Sequence, residues 1–354
     1  MMDYNMAQPH MLQYNLTLER QLPASTMFFV SYAGSRGLNL FQVKEANAPF
    51  PQILPDGREF WTGTEKRPNP NWDAITLHTA GSDSTYNSLQ FGFQKRLSRG
   101  VQFQSSYTWS TLLDKTQSEA GGEGGGSNPT GVDPFHPALD KGPADFYIRH
   151  FWSFNALYEV PSFGSSMIAR AVGGWRLSTI LSVRSGLPFT PYLSGNQSRS
   201  NVSGGGNPDR PNLVAGRKPG DITSGTTKGC PGVQAGRKLG GPDLYFDPCA
   251  FAVQPAGFLG TASRNLLLGP TFNNWDFSVT KEFPILKEGA RRLEFRTEIF
   301  NLLNRNNFNI PVEGRTVFTA DGNQVSQTAL ATAGQITRTA GDSRQIQFAL
   351  KLIF

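Results

Sequence analysis

The chain has only two cysteines and four histidines in 354 residues, 17% of its residues are charged, and it contains no run of about 18 apolar residues. Each shortage removes a class of protein. Two cysteines cannot frame a disulfide-dense scaffold or a four-thiolate zinc site. The missing apolar run excludes a membrane-spanning helix. It leaves a spanning strand open, because alternation hides an apolar face from window averages, and the mean hydropathy is −0.36. The histidines, His10, His78, His136 and His150, are dispersed. No Ser/His/Asp or Cys/His set can be read from order or spacing, so no enzyme and no cofactor is expected. The net charge is +6, but the basic residues are scattered through loops and strand ends without a dense cluster, and nucleic acid is not expected as a partner.

What is abundant points to strands. The 38 glycines, 24 prolines and 26 phenylalanines argue for strands joined by long loops rather than for helices. The final segment, Arg344–Phe354, alternates with a period of two. Ile346, Phe348, Leu350, Leu352 and Phe354 fall on one face, and Gln345, Gln347, Ala349 and Lys351 on the other. One face suits lipid and the other suits water, and the length is about that of a tilted spanning strand. A sandwich edge in a soluble protein has the same local pattern.

Eight further segments alternate in this way: Tyr14–Arg20, Met27–Gly34, Ser88–Arg96, Val101–Thr111, Trp152–Val160, Trp175–Arg184, Trp275–Phe283 and Arg292–Asn301. The connections between successive segments alternate short and long, the rhythm of a membrane barrel with tight periplasmic turns and long extracellular loops. This ordering places Phe354 at the periplasmic end. It also places Trp109, Trp152 and Trp275 near the extracellular ends of their strands, and Trp175, Phe283 and Phe354 near the periplasmic ends, where aromatic girdles lie. In Arg292–Asn301, Leu293, Phe295, Thr297 and Ile299 oppose Glu294, Arg296 and Glu298, and the latter three, with Gln345 and Gln347, are expected to face the lumen. The fold expected is all-β: an antiparallel transmembrane β-barrel portion of about nine meander strands, an open curved sheet with long extracellular loops. Nine is odd, and a further strand near Asn309–Phe318 would restore the even count of bacterial barrels.

Several runs carry a family resemblance: Tyr86-Asn-Ser-Leu-Gln-Phe91, Ser106-Tyr-Thr-Trp-Ser110, Gly173-Gly-Trp-Arg-Leu-Ser178, Ser185-Gly-Leu-Pro-Phe189, Phe272-Asn-Asn-Trp-Asp276 and Leu293-Glu-Phe-Arg-Thr-Glu-Ile-Phe-Asn-Leu-Leu-Asn304. With Arg210-Pro-Asn212 and the segment around Arg264, Asn265 and Leu266–Gly269, their order resembles the C-terminal barrel of Oar-like TonB-dependent receptors over nearly the whole chain. The resemblance implies a barrel of about 22 strands with an N-terminal plug, import of a ligand with energy from the TonB system, and location in the bacterial outer membrane with a periplasmic C-terminus. It also implies that the terminal strand, with Phe348, Leu350, Leu352 and Phe354, is read by the barrel-assembly machinery. No plug, TonB box or signal peptide is visible in 1–354, so the chain is expected to be the C-terminal portion of a longer barrel. A self-contained porin or adhesin-like barrel and a secreted soluble β-protein or carbohydrate-active enzyme are the competing classes.

Four constellations bear on chemistry or binding. Cys230 and Cys249 share the longest connection, and an oxidising compartment favours a disulfide between them, with free thiols or a metal site as alternatives. The run Gly121-Gly-Glu-Gly-Gly-Gly126 lacks the Lys-Ser/Thr of a phosphate loop and reads as a flexible loop. Asp133, Asp140 and Asp145 share a loop with His136, which suggests a calcium or iron site or, by default, solvated charges; the spacing matches no EF-hand. Trp61, Trp72, Phe135, Tyr245 and Phe246 are loop aromatics able either to meet a ligand or to pack within the loops. The ligand itself is unknown.

Overall fold

The computed structural model describes residues 1–115, 131–162, 164, 166–202, 209–285, 291–322 and 324–354. Nine long strands form one sheet: β1 (His10–Leu22), β2 (Thr26–Glu45), β3 (Thr76–Ser98), β4 (Val101–Asp114), β5 (His150–Glu159), β6 (Trp175–Arg184), β7 (Phe272–Pro284), β8 (Arg292–Phe300) and β9 (Gln345–Ile353). Each strand pairs antiparallel with the next, and the two-residue strand Gly142–Pro143 adds to the end of β4. The sheet is open, with β1 and β9 as its edges. The expected meander is therefore the observed one.

The ladder registers carry one apolar face across all nine strands, because residues paired directly opposite share a face. Leu16 opposes Tyr32, which opposes Leu89, which opposes Trp109. Val101 opposes Tyr158, and Phe154 opposes Leu181, which opposes Trp275. Phe283 opposes Leu293, and Phe295 opposes Leu350. Ile346, Phe348, Leu350, Leu352 and Phe354 are all largely uncovered. A sheet face with this much exposed apolar surface is suited to hydrocarbon.

The other face is mostly polar, with Phe29, Leu157 and Ile180 among its few apolar members. On β8 and β9 it carries Glu294, Arg296, Glu298, Gln345 and Gln347. Arg296 bridges Glu294 at 2.9 Å and approaches Glu298 at 3.8 Å, and Gln347 Nε2 donates to Glu298. The cations on the apolar face, Arg20 opposite Phe28, Lys95 opposite Phe103 and Lys281 among them, stand toward the strand ends. Lys281 lies on the apolar face, opposite Phe295 and Trp175, yet it is buried, because its Nζ donates to the carbonyls of Ala171 and Gly173 and sits 4.8 Å from the centre of the Trp175 ring. The carbonyls belong to helix α1 (Met167–Val172) and its C-cap, in the connection between β5 and β6. Tryptophan, lysine and helix end thus meet at the rim, where a lysine keeps its charge out of hydrocarbon.

Short connections, 23–25, 99–100, 160–174 and 285–291, lie at one end of the sheet, and long ones, 46–75, 115–149, 185–271 and 301–344, at the other. Two features differ from the sequence expectation. β2 and β3 run to 20 and 23 residues, well beyond the roughly 9 to 11 needed to span a bilayer. The excess forms a ribbon projecting from the long-loop end, with irregular register between Gly37 and Phe41. The segment near Asn309–Phe318 adds no strand to this sheet. Thr316–Ala320 instead pairs with Tyr192–Leu193 and Val325–Ala329 in a separate three-stranded sheet among the loops.

The buried core is not in the sheet but in the loops. Phe189, Leu193, Ile222, Leu244, Phe246, Phe251, Leu267, Val317 and Phe318 belong to one cluster drawn from connections 185–271 and 301–344. A single-layer sheet with lipid on one face and polar side chains on the other has no interior of its own, so water exclusion falls to the loops that cap it.

Candidate functional site

The loop domain is built from short pairings that fix its geometry. Pro188–Phe189 pairs with Leu267–Leu268, Asn212–Leu213 with Phe251–Ala252, and Gln52–Ile53 with Glu59–Phe60. Cys230 and Cys249 are joined in a disulfide, with Cα atoms 5.6 Å apart, and pack against the loop core. Trp61, Tyr245 and Phe246 are buried. Trp61 donates its indole N–H to the Pro49 carbonyl, and the Tyr245 hydroxyl donates to that of Leu268. Phe135 stacks on Phe50 at 4.9 Å. Only Trp72 of the five loop aromatics stands well exposed, at 65%. Four of the five thus pack within the loops, and the expectation of an aromatic ligand surface narrows to Trp72.

Buried charges hold the loops to one another and to the sheet. Arg264, fully buried, pairs with Asp114 at the end of β4, donates from Nε to the Asp140 carbonyl at 2.8 Å, and lies 3.7 Å from Asp145. Arg210 pairs with Asp140 at 2.8 Å, both side chains being buried. Asn265, with φ of 54°, donates to the Pro143 carbonyl and to Asp145. Asp133 and Asp140 are buried, so the default of solvated loop charges is incorrect for these two: each is enclosed when the long loops close over one another. Burial raises the pKa of Asp140 despite the opposing charge of Arg210, and burial lowers that of Arg264 to about 10, leaving the guanidinium charged at neutral pH.

Asp133 and His136 come together with a residue that the sequence did not single out, Glu59. His136 Nδ1 lies 2.9 Å from Asp133 Oδ2 and 2.9 Å from Glu59 Oε1. Burial, and then the nearby Asp133 charge, raise the pKa of Glu59 to about 7; the Asp133 hydrogen bond, and then the Glu59 charge, raise that of His136. Neither Asp140 nor Asp145 belongs to this group, which is separated in sequence by more than 70 residues and so leaves no local spacing to find. His10, His78 and His150 stand elsewhere, and His150 accepts or donates a hydrogen bond with the Tyr107 hydroxyl at 2.8 Å on the apolar face. The run Gly121–Gly126 lies outside the described residues.

Beside the group opens a cleft of about 510 Å³, lined by Arg58, Glu59, Leu139, Asp209, Arg210 and Phe258 among others. Its volume is in the range of small-molecule sites. Arg58 lies over the Phe258 ring at 4.8 Å and bonds Asp56. Asp209, a buried residue of the cleft lining, accepts from the Ser198 amide and hydroxyl; its burial raises its pKa to about 7. Three of the four long connections contribute to this part of the molecule: 46–75, 115–149 and 185–271.

An open antiparallel meander with a continuous apolar face, a polar opposite face and all long loops at one end defines a membrane-type β-barrel sheet. The family described as "Outer membrane beta barrel domain" matches residues 1–347, and the chain belongs to it. Among solved structures, the chain is similar to the outer membrane transporter YddB from Escherichia coli, at 8% identity and a TM-score of 0.45, over 98% of this chain and 33% of that one. The chain therefore spans about a third of the length of that structure. No curated protein sequence matches.

Proposed function

We propose that this chain forms the C-terminal portion of the barrel of an Oar-like TonB-dependent receptor, which binds an extracellular ligand at its loop domain and imports it without enzymatic chemistry. The observation that carries the reading is the open nine-stranded sheet capped at one end only by a folded loop domain containing a cleft. Hydrocarbon cannot satisfy the unpaired N–H and C=O groups of β1 and β9, so a working barrel needs further strands against both edges. The short-turn end and Phe354 face the periplasm in this reading, and the terminal strand engages the barrel-assembly machinery. TonB acts through other regions of the longer polypeptide. Arg210, Arg264 and Asn265, which carry part of the sequence resemblance, join the loops into one body.

The test uses cells producing the complete polypeptide that carries this sequence. Cysteine placed at Trp72 should react with a membrane-impermeant maleimide on intact cells, and cysteine placed at Ala24, in a short turn, should react only after the outer membrane is opened. Depletion of solutes from defined medium should then require both this polypeptide and TonB. TonB-independent permeation of small hydrophilic solutes through the purified protein in liposomes would instead establish a porin.

A further inference from the structure

The geometry points to a divalent transition-metal site of the zinc type at Glu59, Asp133 and His136, linking two of the long loops beside the cleft that Glu59 lines. One nitrogen and two carboxylate oxygens, one from each residue, lie within 4.8 Å of one another. The two N···O separations are 2.9 Å. Four-coordinate zinc with bonds of about 2.0 to 2.1 Å holds its donors roughly 3.4 Å apart, so a cation can replace the proton shared at Nδ1 with small rotations of the three side chains. A single N–H can point along only one line, whereas a metal meets all three donors at once.

The donor set decides the class of ion. Two carboxylates supply a charge of −2, and an imidazole ligand favours zinc and its neighbours over calcium or magnesium, which take oxygen donors. The surroundings hold the donors in place. Asp133, whose side chain is fully buried, accepts the Phe135 amide at its other oxygen, Oδ1, at 2.8 Å. Phe135 in turn stacks on Phe50 in the connection that carries Glu59. Glu59 stands in a short strand paired with Gln52–Ile53. Neighbouring Arg58, which would compete as the counter-ion, is directed to Asp56 and Phe258. His136 is 58% exposed, which gives an ion entry from solvent and leaves a coordination position open to water or to a donor atom of a molecule in the cleft.

The test takes the complete, tag-free polypeptide in detergent micelles, stripped with EDTA and dialysed. Zinc chloride alone is titrated by calorimetry, and cobalt(II) is added separately for its visible absorption. The wild type should bind one zinc ion more per chain than His136→Gln, and cobalt should give the strong bands of a low-coordinate site. Glu59→Gln should weaken zinc binding about tenfold or more. His136 is exposed and Gln is the near-isostere of Glu59, whose side chain is largely covered, and unchanged heat-modifiable migration confirms that each variant folds. Hydrogen exchange should also slow around 59 and 133–136 when zinc is added to the wild type and not to the variants. Equal zinc stoichiometry and affinity in wild type and His136→Gln, or calcium binding that ignores the histidine, would overturn the assignment.

Discussion

Arginine in place of Phe348 and arginine in place of Gln347 differ by one position in β9 and by the whole thickness of the sheet. β9 spans nine residues, Gln345–Ile353, and Phe348 lies close to its middle on the apolar face, 71% exposed in the isolated chain. A nine-residue strand is about 30 Å long at roughly 3.4 Å per residue, and a tilt of about 45° brings it close to the 25 Å apolar band of an outer-membrane barrel. Phe348 is thus near the midplane, where arginine costs about 2 to 4 kcal/mol. That corresponds to roughly 30- to 1000-fold in the folding equilibrium. Gln347 instead points to the polar face, where it donates to Glu298. An arginine there keeps a donor for that carboxylate beside the existing Arg296 and Glu294, so the change should stay within about 0.5 kcal/mol. The complete polypeptide is refolded into liposomes, and urea midpoints and heat-modifiable migration are compared for wild type, Phe348→Arg, Gln347→Arg and Phe348→Leu. The order expected is Phe348→Arg far below the other three. Equal loss for the two arginine variants would refute the assignment of faces across the whole ladder, because register ties each strand's facing to the next.

Arg264→Met should loosen the loop domain by about 3 to 5 kcal/mol, because Asp114 remains buried without its partner; accelerated proteolysis of the long loops is the readout, and adding Asp114→Asn should restore part of the protection. Replacing both Cys230 and Cys249 by alanine should remove about 3 kcal/mol from the loop domain, given a sequence separation of 19, and should speed hydrogen exchange around Phe246 and Phe251 while leaving that of the barrel strands unchanged. Asp209 has a folded-state pKa of about 7, above its unfolded value, so the folded loops hold a proton that the unfolded chain releases. Their stability should fall as pH rises from about 4 to 7, by up to about 4 kcal/mol, and Asp209→Asn should flatten that dependence in exchange rates corrected for intrinsic pH effects.

The sheet was legible in the sequence because its information is local. Alternation with a period of two fixes which residues share a face, and it identified nine strands whose apolar members the ladder registers join into one surface. It failed where that rule gives no signal. The extra length of β2 and β3 exceeds what a spanning strand needs, and there alternation relaxes; Thr316–Ala320 is short, β-prone and apolar but pairs within the loops. The loop core, the bridge from Arg264 back to Asp114 across 150 positions and the meeting of Glu59 with His136 were set only by the tertiary structure. The sheet brings four long connections to one end, and there the loops must bury their apolar residues against each other because the sheet has no interior to receive them. Sequence spacing carries no record of such contacts, since their partners are chosen by which strands stand side by side.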